Sequence, residues 1–275
     1  MIKRRKQFKN LIIILIFVVL FSSCVSKVDQ DEGLFFQALG EEGAFVLTSK
    51  KESLEEFGIK LDVEPSLMDK IDRVSISIKD DEFYGGLEGQ FSSFFVNTAL
   101  VIAKDYKKEG DYFQKVDSSL QLGSPEKNLL IISSNNFDEA RQKTVDARVV
   151  YIDAVKAELM KNADLAVYSN QPTSLKLLGY DIDDSIALTM KTLLIYFKDG
   201  KIYLSADFKN EKSANTFSTV IRASYITGLK KRQEKIDINL LKEIFTLENN
   251  LVEINGIAMM DSQIQNINLI IENFI

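Results

Sequence analysis

The chain contains no histidine, one cysteine and no tryptophan. Imidazole acid–base chemistry, Ser-His-Asp triads and histidine metal sites are therefore excluded. A single thiol also excludes an intrachain disulfide and a cysteine-cluster zinc site. That thiol, Cys24, is the best nucleophile in the sequence once deprotonated. Asp181, Asp183 and Asp184 supply the oxygens that calcium takes, but the run lacks the glycine and terminal glutamate of a calcium loop. It reads as a solvated turn or a helix start. Asp80, Asp81 and Glu82 read as a turn. Gly85, Gly86 and Gly89 could cradle a phosphate, yet their spacing fits neither a Walker loop nor G-x-G-x-x-G. Glycines within a strand mark a bulge or a close backbone approach instead. Ser124-Pro125-Glu126-Lys127 satisfies S-x-x-K, but the companion S-D-N and K-T-G motifs are absent and Pro125 favours a turn. Two carboxylates can hydrolyse a substrate alone, but no spacing here singles out a pair. No catalytic, cofactor-binding or metal-binding residue follows from the sequence. The expectation is a protein that is not an enzyme, with a His-independent hydrolase as a remote alternative.

Cys24 has a context that the other groups lack. Lys3, Arg4, Arg5, Lys6 and Lys9 precede an unbroken apolar run, Leu11–Phe21, which small residues follow. A basic stretch, a short apolar stretch and small residues are the parts of a secretory signal. The run is too short to span a bilayer, which takes about 20 apolar residues. Phe21-Ser22-Ser23-Cys24 resembles the lipobox of bacterial lipoproteins, with Phe21 in place of the usual leucine. The resemblance implies cleavage between Ser23 and Cys24, thioether lipidation of Cys24 and acylation of its new amine. More than one acyl chain gives stable anchoring. The Lys-, Ile-, Asn- and Phe-rich composition also resembles that of spirochaete lipoproteins.

The elements that would carry any site come in two sets, offset by about 120 residues. Phe45–Ser49 matches Ala166–Asn170, Ile76–Asp80 matches Ile195–Asp199, and Phe83-Tyr84 matches Ile202-Tyr203. In the first set, Ala44–Thr48 reads as a strand and Ser53–Phe57 and Pro65–Ile71 as short helical pieces. Val74–Ile78 alternates as a half-buried strand does. A glycine-bearing strand Glu82–Gln90 follows. Val96, Ala99, Leu100 and Ala103 then trace one helix face, and Leu129–Ile132 is a strand. In the second set, Leu165–Tyr168, Leu193–Phe197, Ile202–Phe208 and Leu251–Ile254 read as strands. Asp199-Gly200 is a two-residue hairpin signal, Ser174–Met190 reads as mostly helical, and Phe217, Val220, Ile221 and Ser224 mark a helix face. Each long helix is expected to end in cations, Tyr106-Lys107-Lys108 and Lys230-Lys231-Arg232, placed against its last carbonyls. Phe91, Phe94 and Phe95 are expected to pack in the core. Phe113–Gly123 and Ile236–Glu248 are left open between strand and helix.

The order β-α-β-β-α-β, twice over, predicts an α+β chain of two tandem ferredoxin-like repeats with antiparallel sheets. The expected divisions are a signal peptide (1–23), a lipidated tether (24–33), a first repeat (34–136), a connecting helix (137–163) capped at Asn136, and a second repeat (164–275). Ile264, Ile267, Ile271 and Phe274 trace an amphipathic closing helix at its end.

Without residues 1–23 the chain carries 29 basic and 40 acidic side chains, a net charge of −11. That balance excludes nucleic acid as a natural partner and broad adhesion to anionic lipid. The membrane contact expected is therefore the acylated Cys24. The sequence predicts a lipid-anchored cell-envelope protein that binds or scaffolds a partner, with the outer membrane preferred. A surface-exposed lipoprotein binding an extracellular ligand is the alternative.

Overall fold

The computed structural model describes residues 34–54, 56–57, 68–80, 82–116, 118–172 and 184–258. Cys24, Ser23, Asp181, Asp183, Asp81 and the expected closing helix lie outside these residues.

Among the described residues, twelve strands form one antiparallel sheet. They are β1 (Phe45–Lys50), β2 (Ile71–Lys79), β3 (Glu82–Gly89), β4 (Tyr106–Glu109), β5 (Tyr112–Lys115), β6 (Gln121–Glu126), β7 (Leu129–Ser133), β8 (Leu165–Asn170), β9 (Met190–Lys198), β10 (Lys201–Phe208), β11 (Phe245–Glu248) and β12 (Leu251–Ala258). Their order across the sheet is β11-β12-β10-β9-β8-β1-β2-β3-β7-β6-β5-β4. The helices are α1 (Lys51–Leu54), α2 (Ser93–Ile102), α3 (Phe137–Arg141), α4 (Ala154–Asn162), α5 (Asp184–Ala187), α6 (Glu211–Lys231) and α7 (Ile238–Ile244). A 3-10 turn at Phe35–Leu39 precedes β1, and a π turn at Gln142–Asp146 follows α3.

The α+β class and the antiparallel pairing agree with the sequence reading, but the strand order is not ferredoxin-like. That fold needs parallel crossovers that place the first strand between later ones. Here β1 runs antiparallel to β2, with Phe45 opposite Ile78 and Lys50 opposite Arg73. The chain thus leaves and re-enters the sheet at the same end, and β1-β2-β3 is a meander. The open segments also resolve: β5 and β6 occupy most of the first, while α7 and β11 occupy the second. The stretch 137–163 holds α3, the π turn and α4 rather than one continuous helix. Asn136 bonds the Glu139 carboxylate through its side chain and caps no backbone N–H.

The offset seen in the sequence survives in the strands. β2 and β9 have nine residues each, and β3 and β10 have eight. β1 and β8 share the same alternation of burial. They also form the seam between the halves, where Phe45 pairs with Ser169 and Thr48 with Ala166. Burial makes Phe45 equivalent to Leu165 and Ser49 to Ser169, one residue from the sequence match, and Ser49 pairs with Leu165. The seam therefore reads the same from either strand. The turn Asp199-Gly200 has positive φ at both residues, 52° and 69°, as a type I′ hairpin requires.

Side chains alternate between two faces, and each face buries its own core. Phe45, Leu87, Leu130, Leu165, Leu193 and Leu204 point to the face covered by α1, α2, α6 and α7. Val46, Leu129, Ile131, Ala166 and Leu194 point to the other, covered by the 3-10 turn, α3 and α4. Burial on both faces explains the near-continuous apolar runs at Leu129–Ile132 and Leu193–Phe197. The strand glycines mark close approach. A Cβ on Gly85 would lie 2.3 Å from the Ser75 carbonyl oxygen, and one on Gly89 2.0 Å from that of Lys70. The β2–β3 register shifts beside Gly89, between Ile71 and Arg73.

Candidate functional site

The structure disperses the residues whose types suggested catalysis. Ser124 sits in β6, and its hydroxyl donates to the Leu129 carbonyl at 2.7 Å and the Glu126 carbonyl at 3.1 Å. It holds a strand turn together instead of facing a cleft. Asp184 opens α5, and Asp80 is a turn residue with φ 53°. Among the described residues, no cluster of three or more acidic or cysteine side chains could hold a metal ion. Lys230 and Lys231 do end α6, and Arg232 caps it and pairs with Glu234. The first basic group departs from its expected place. The helix stops at Ala103, and Tyr106, Lys107 and Lys108 begin the edge strand β4. Exposed lysines on an edge discourage pairing with another sheet.

Glu88 is a half-buried acid with a sealed carboxylate oxygen, and the sequence did not single it out. It faces the 3-10 turn across from Arg73. Its Oε2 is sealed from solvent and accepts no hydrogen bond. Burial pushes its carboxyl up to about 7, against the pull of the Arg73 charge and the Phe35 N–H. Arg73 is itself held by the Lys161 carbonyl at 2.7 Å and the Thr48 hydroxyl at 3.1 Å, and it lies over the Phe36 ring. The arrangement ties the 3-10 turn and α4 to the sheet. Its signal in the sequence was a glutamate interrupting an apolar strand between two glycines.

The feature that stands out from the sheet is α2. It contains seven apolar residues in ten, no charge, and one fully buried side chain, Val96. The inward face is Ser93, Val96, Asn97 and Leu100, at the i, i+3, i+4 and i+7 spacing of one helix side. Asn97 pins it, donating to the Ser124 carbonyl and accepting the Ser124 N–H, both at 3.1 Å. The outward face is Phe94, Phe95, Thr98, Ala99, Val101 and Ile102. Phe94 is 75% exposed and Ile102 74%. Phe91 packs in the core as expected, whereas Phe94 and Phe95 do not. Polar Asn97 takes the inner position that Ala99 was expected to hold. The counterpart helix α6 buries Ala214, Phe217, Ser218 and Leu229, and its exposed side is mostly polar, with Asn215, Thr216, Thr219, Ser224 and Thr227 between charged ends. These outer residues form an exposed apolar patch on one helix of a charged protein.

These observations define an α+β protein built on one two-faced antiparallel sheet, with an apolar helix presented on one face. No family model and no curated protein matches the sequence. Solved structures do match the fold. The spirochaete (Treponema) protein TP0453 is similar in three crystal forms. Form I aligns with a TM-score of 0.55 at 12% identity, covering 89% of this chain and 99% of that one. Form III gives 0.53 at 12% identity over 86% and 97%, and form IV 0.52 at 10% over 87% and 96%. At that identity the likeness is one of fold.

Proposed function

We propose that this chain is a lipid-anchored cell-envelope protein, not an enzyme, that binds a protein partner through the outer face of α2. One observation carries the reading: a charge-free helix with Phe94, Phe95, Val101 and Ile102 turned to solvent. Exposed aromatic and large aliphatic side chains on a rigid element supply the buried centre of an interface. The double tie between Asn97 and Ser124 keeps the face in one orientation, which lowers the ordering cost of binding. The lipobox resemblance at Cys24 supplies the anchor, and the likeness in fold to a spirochaete protein accords with the composition.

The test places a photo-crosslinking residue at position 94 or 102 of the full chain in its own cells. The expected result is a discrete protein adduct at both positions, lost when Phe95→Ser is added and absent from position 220 on α6. Adducts at neither position would overturn the proposal. Vesicle binding by a Cys24→Ser chain that Phe94→Ser abolishes would move the partner from a protein to the bilayer.

A further inference from the structure

The exposed side of α2 has a symmetry of its own. Phe94 and Phe95 stand four and three residues before Thr98, and Val101 and Ile102 stand three and four residues after it. At about 100° per residue, all five fall within a stripe about 120° wide centred on Thr98. The stripe has one aromatic end and one β-branched end, about 10 Å apart along the helix. Thr98 and Ala99, the smaller exposed side chains, occupy its middle. The outer side of α6, mostly polar, offers no such stripe.

This pattern is complementary to itself. A second α2, turned antiparallel about Thr98, lays its Phe94–Phe95 end against the Val101–Ile102 end of the first, and the reverse. The two Thr98 side chains then meet at the crossing point, where small side chains let helices approach to about 8–10 Å. Such a contact is isologous and closes at two copies. Charge favours the same orientation. α2 holds no charged residue, so two net-negative chains meet without a like pair at the centre. Gln90, Phe91 and Ser92 before the helix are uncharged, whereas Lys104, Lys107 and Lys108 follow it. An antiparallel pair keeps the lysines of the two copies at opposite ends, and a parallel pair would set them side by side. The antiparallel pair also places the positive N-terminal end of each helix dipole beside the negative C-terminal end of the other. Phe94, Phe95, Val101 and Ile102 are each more than half exposed. They offer about 500 Å² per copy, and about 1,000 Å² in all is the lower limit of a specific interface. A contact of that size is weak between free molecules, and the anchor proposed at Cys24 raises the effective concentration of two copies on one membrane.

We infer that the partner of α2 is a second copy of this chain, in a two-fold symmetric dimer whose helices cross antiparallel at Thr98. The inference rests on the reading that the outer face of α2 binds a protein.

Cysteine trapping tests the geometry in concentrated solution, on the chain from position 24 to Ile275 with Cys24→Ser. A residue on the two-fold axis meets its own copy, so Thr98→Cys should give a disulfide-linked dimer under mild oxidation. Phe94→Cys should do so slower by about tenfold or more, because its two copies stand about 12 Å apart along the pair, beyond the reach of a disulfide. Adding Phe95→Ser should slow the Thr98→Cys product by about tenfold or more as well. A Thr98→Cys chain that stays monomeric although its thiol reacts with a maleimide, or a Phe94→Cys chain that dimerises as fast, overturns the inference. The photo-crosslinked adduct at position 94 or 102 in cells separates it from the reading beneath it. An adduct holding two differently tagged copies of this chain supports both. An adduct with a different protein overturns the dimer and leaves the reading standing, and no adduct overturns both.

Discussion

Replacing Glu88 with glutamine should stabilise the protein above neutral pH and change little at acid pH. The reasoning rests on one buried carboxyl. An unperturbed glutamate releases its proton at 4.5, whereas burial holds that of Glu88 up to about 7. Between those values the folded chain carries one proton more than the unfolded chain. Stability therefore falls as pH rises through this window. The contribution is complete below 4.5 and lost above 7. At about 1.4 kcal/mol per pH unit, the loss amounts to about 3 kcal/mol. Glutamine keeps the shape and can still accept the Phe35 N–H, but it has no charge to desolvate. Arg73 keeps its carbonyl and hydroxyl partners in the variant. Urea unfolding, followed by circular dichroism from about pH 4.5 to pH 8, measures the effect. Other titrating groups are common to both proteins, so the difference between them isolates position 88. It should grow from near zero to about 3 kcal/mol in favour of the variant. A difference that is constant across the pH range would refute the argument, because it would mean that Glu88 has the same proton affinity in both states.

Three further substitutions probe the parts that hold the sheet and its helix. Gly89→Ala drives a Cβ to 2.0 Å from the Lys70 carbonyl oxygen. It should cost about 3 kcal/mol in denaturant unfolding. Asn97→Ala removes both bonds to Ser124. A loss of about 2 kcal/mol is expected, with amide exchange rising in residues 93–102 before the rest of the chain. Phe137→Ala empties the space between Gly123 and Tyr112 beneath α3. The ring is 1% exposed, and its removal should lower stability by about 4 kcal/mol in the same assay.

The strands were legible because their periodicity is local. Val74–Ile78 alternates along its own length, and Asp199-Gly200 specifies its hairpin by backbone conformation alone. The strand order was not legible in the same way. The pattern strand–helix–strand fits a parallel crossover and an antiparallel return equally well. Which one forms depends on where the chain re-enters the sheet, and that is decided by packing on both faces. The α2 face was misread for a related reason. With apolar residues all round, several stripes could have faced inward, and the choice fell to Asn97 because Ser124 of β6 offers it two backbone bonds. Glu88 was invisible as a perturbed group because its proton affinity depends on burial beneath Phe35, more than fifty residues earlier in the chain. The cations at Lys107 and Lys108 were placed by analogy with α6. The shorter α2 ends before reaching them, and they protect a sheet edge instead.

The self-matching seam between β1 and β8 makes this chain a dimer written as one polypeptide. A rotation that carries one half onto the other brings Phe45 opposite the equivalent of Ser49, and Ser49 opposite the equivalent of Phe45. A fragment holding only the first half would bare the inner border of β1, a strand whose other neighbour is β2. Two such fragments could meet across that border in the same register, as isologous partners do. Fusion makes that meeting independent of concentration. It also frees the halves to diverge at their outer flanks, where one grew four strands beyond β3 and the other two beyond β10. A modern descendant can thus change either wing of the sheet without disturbing the hinge line on which it is folded.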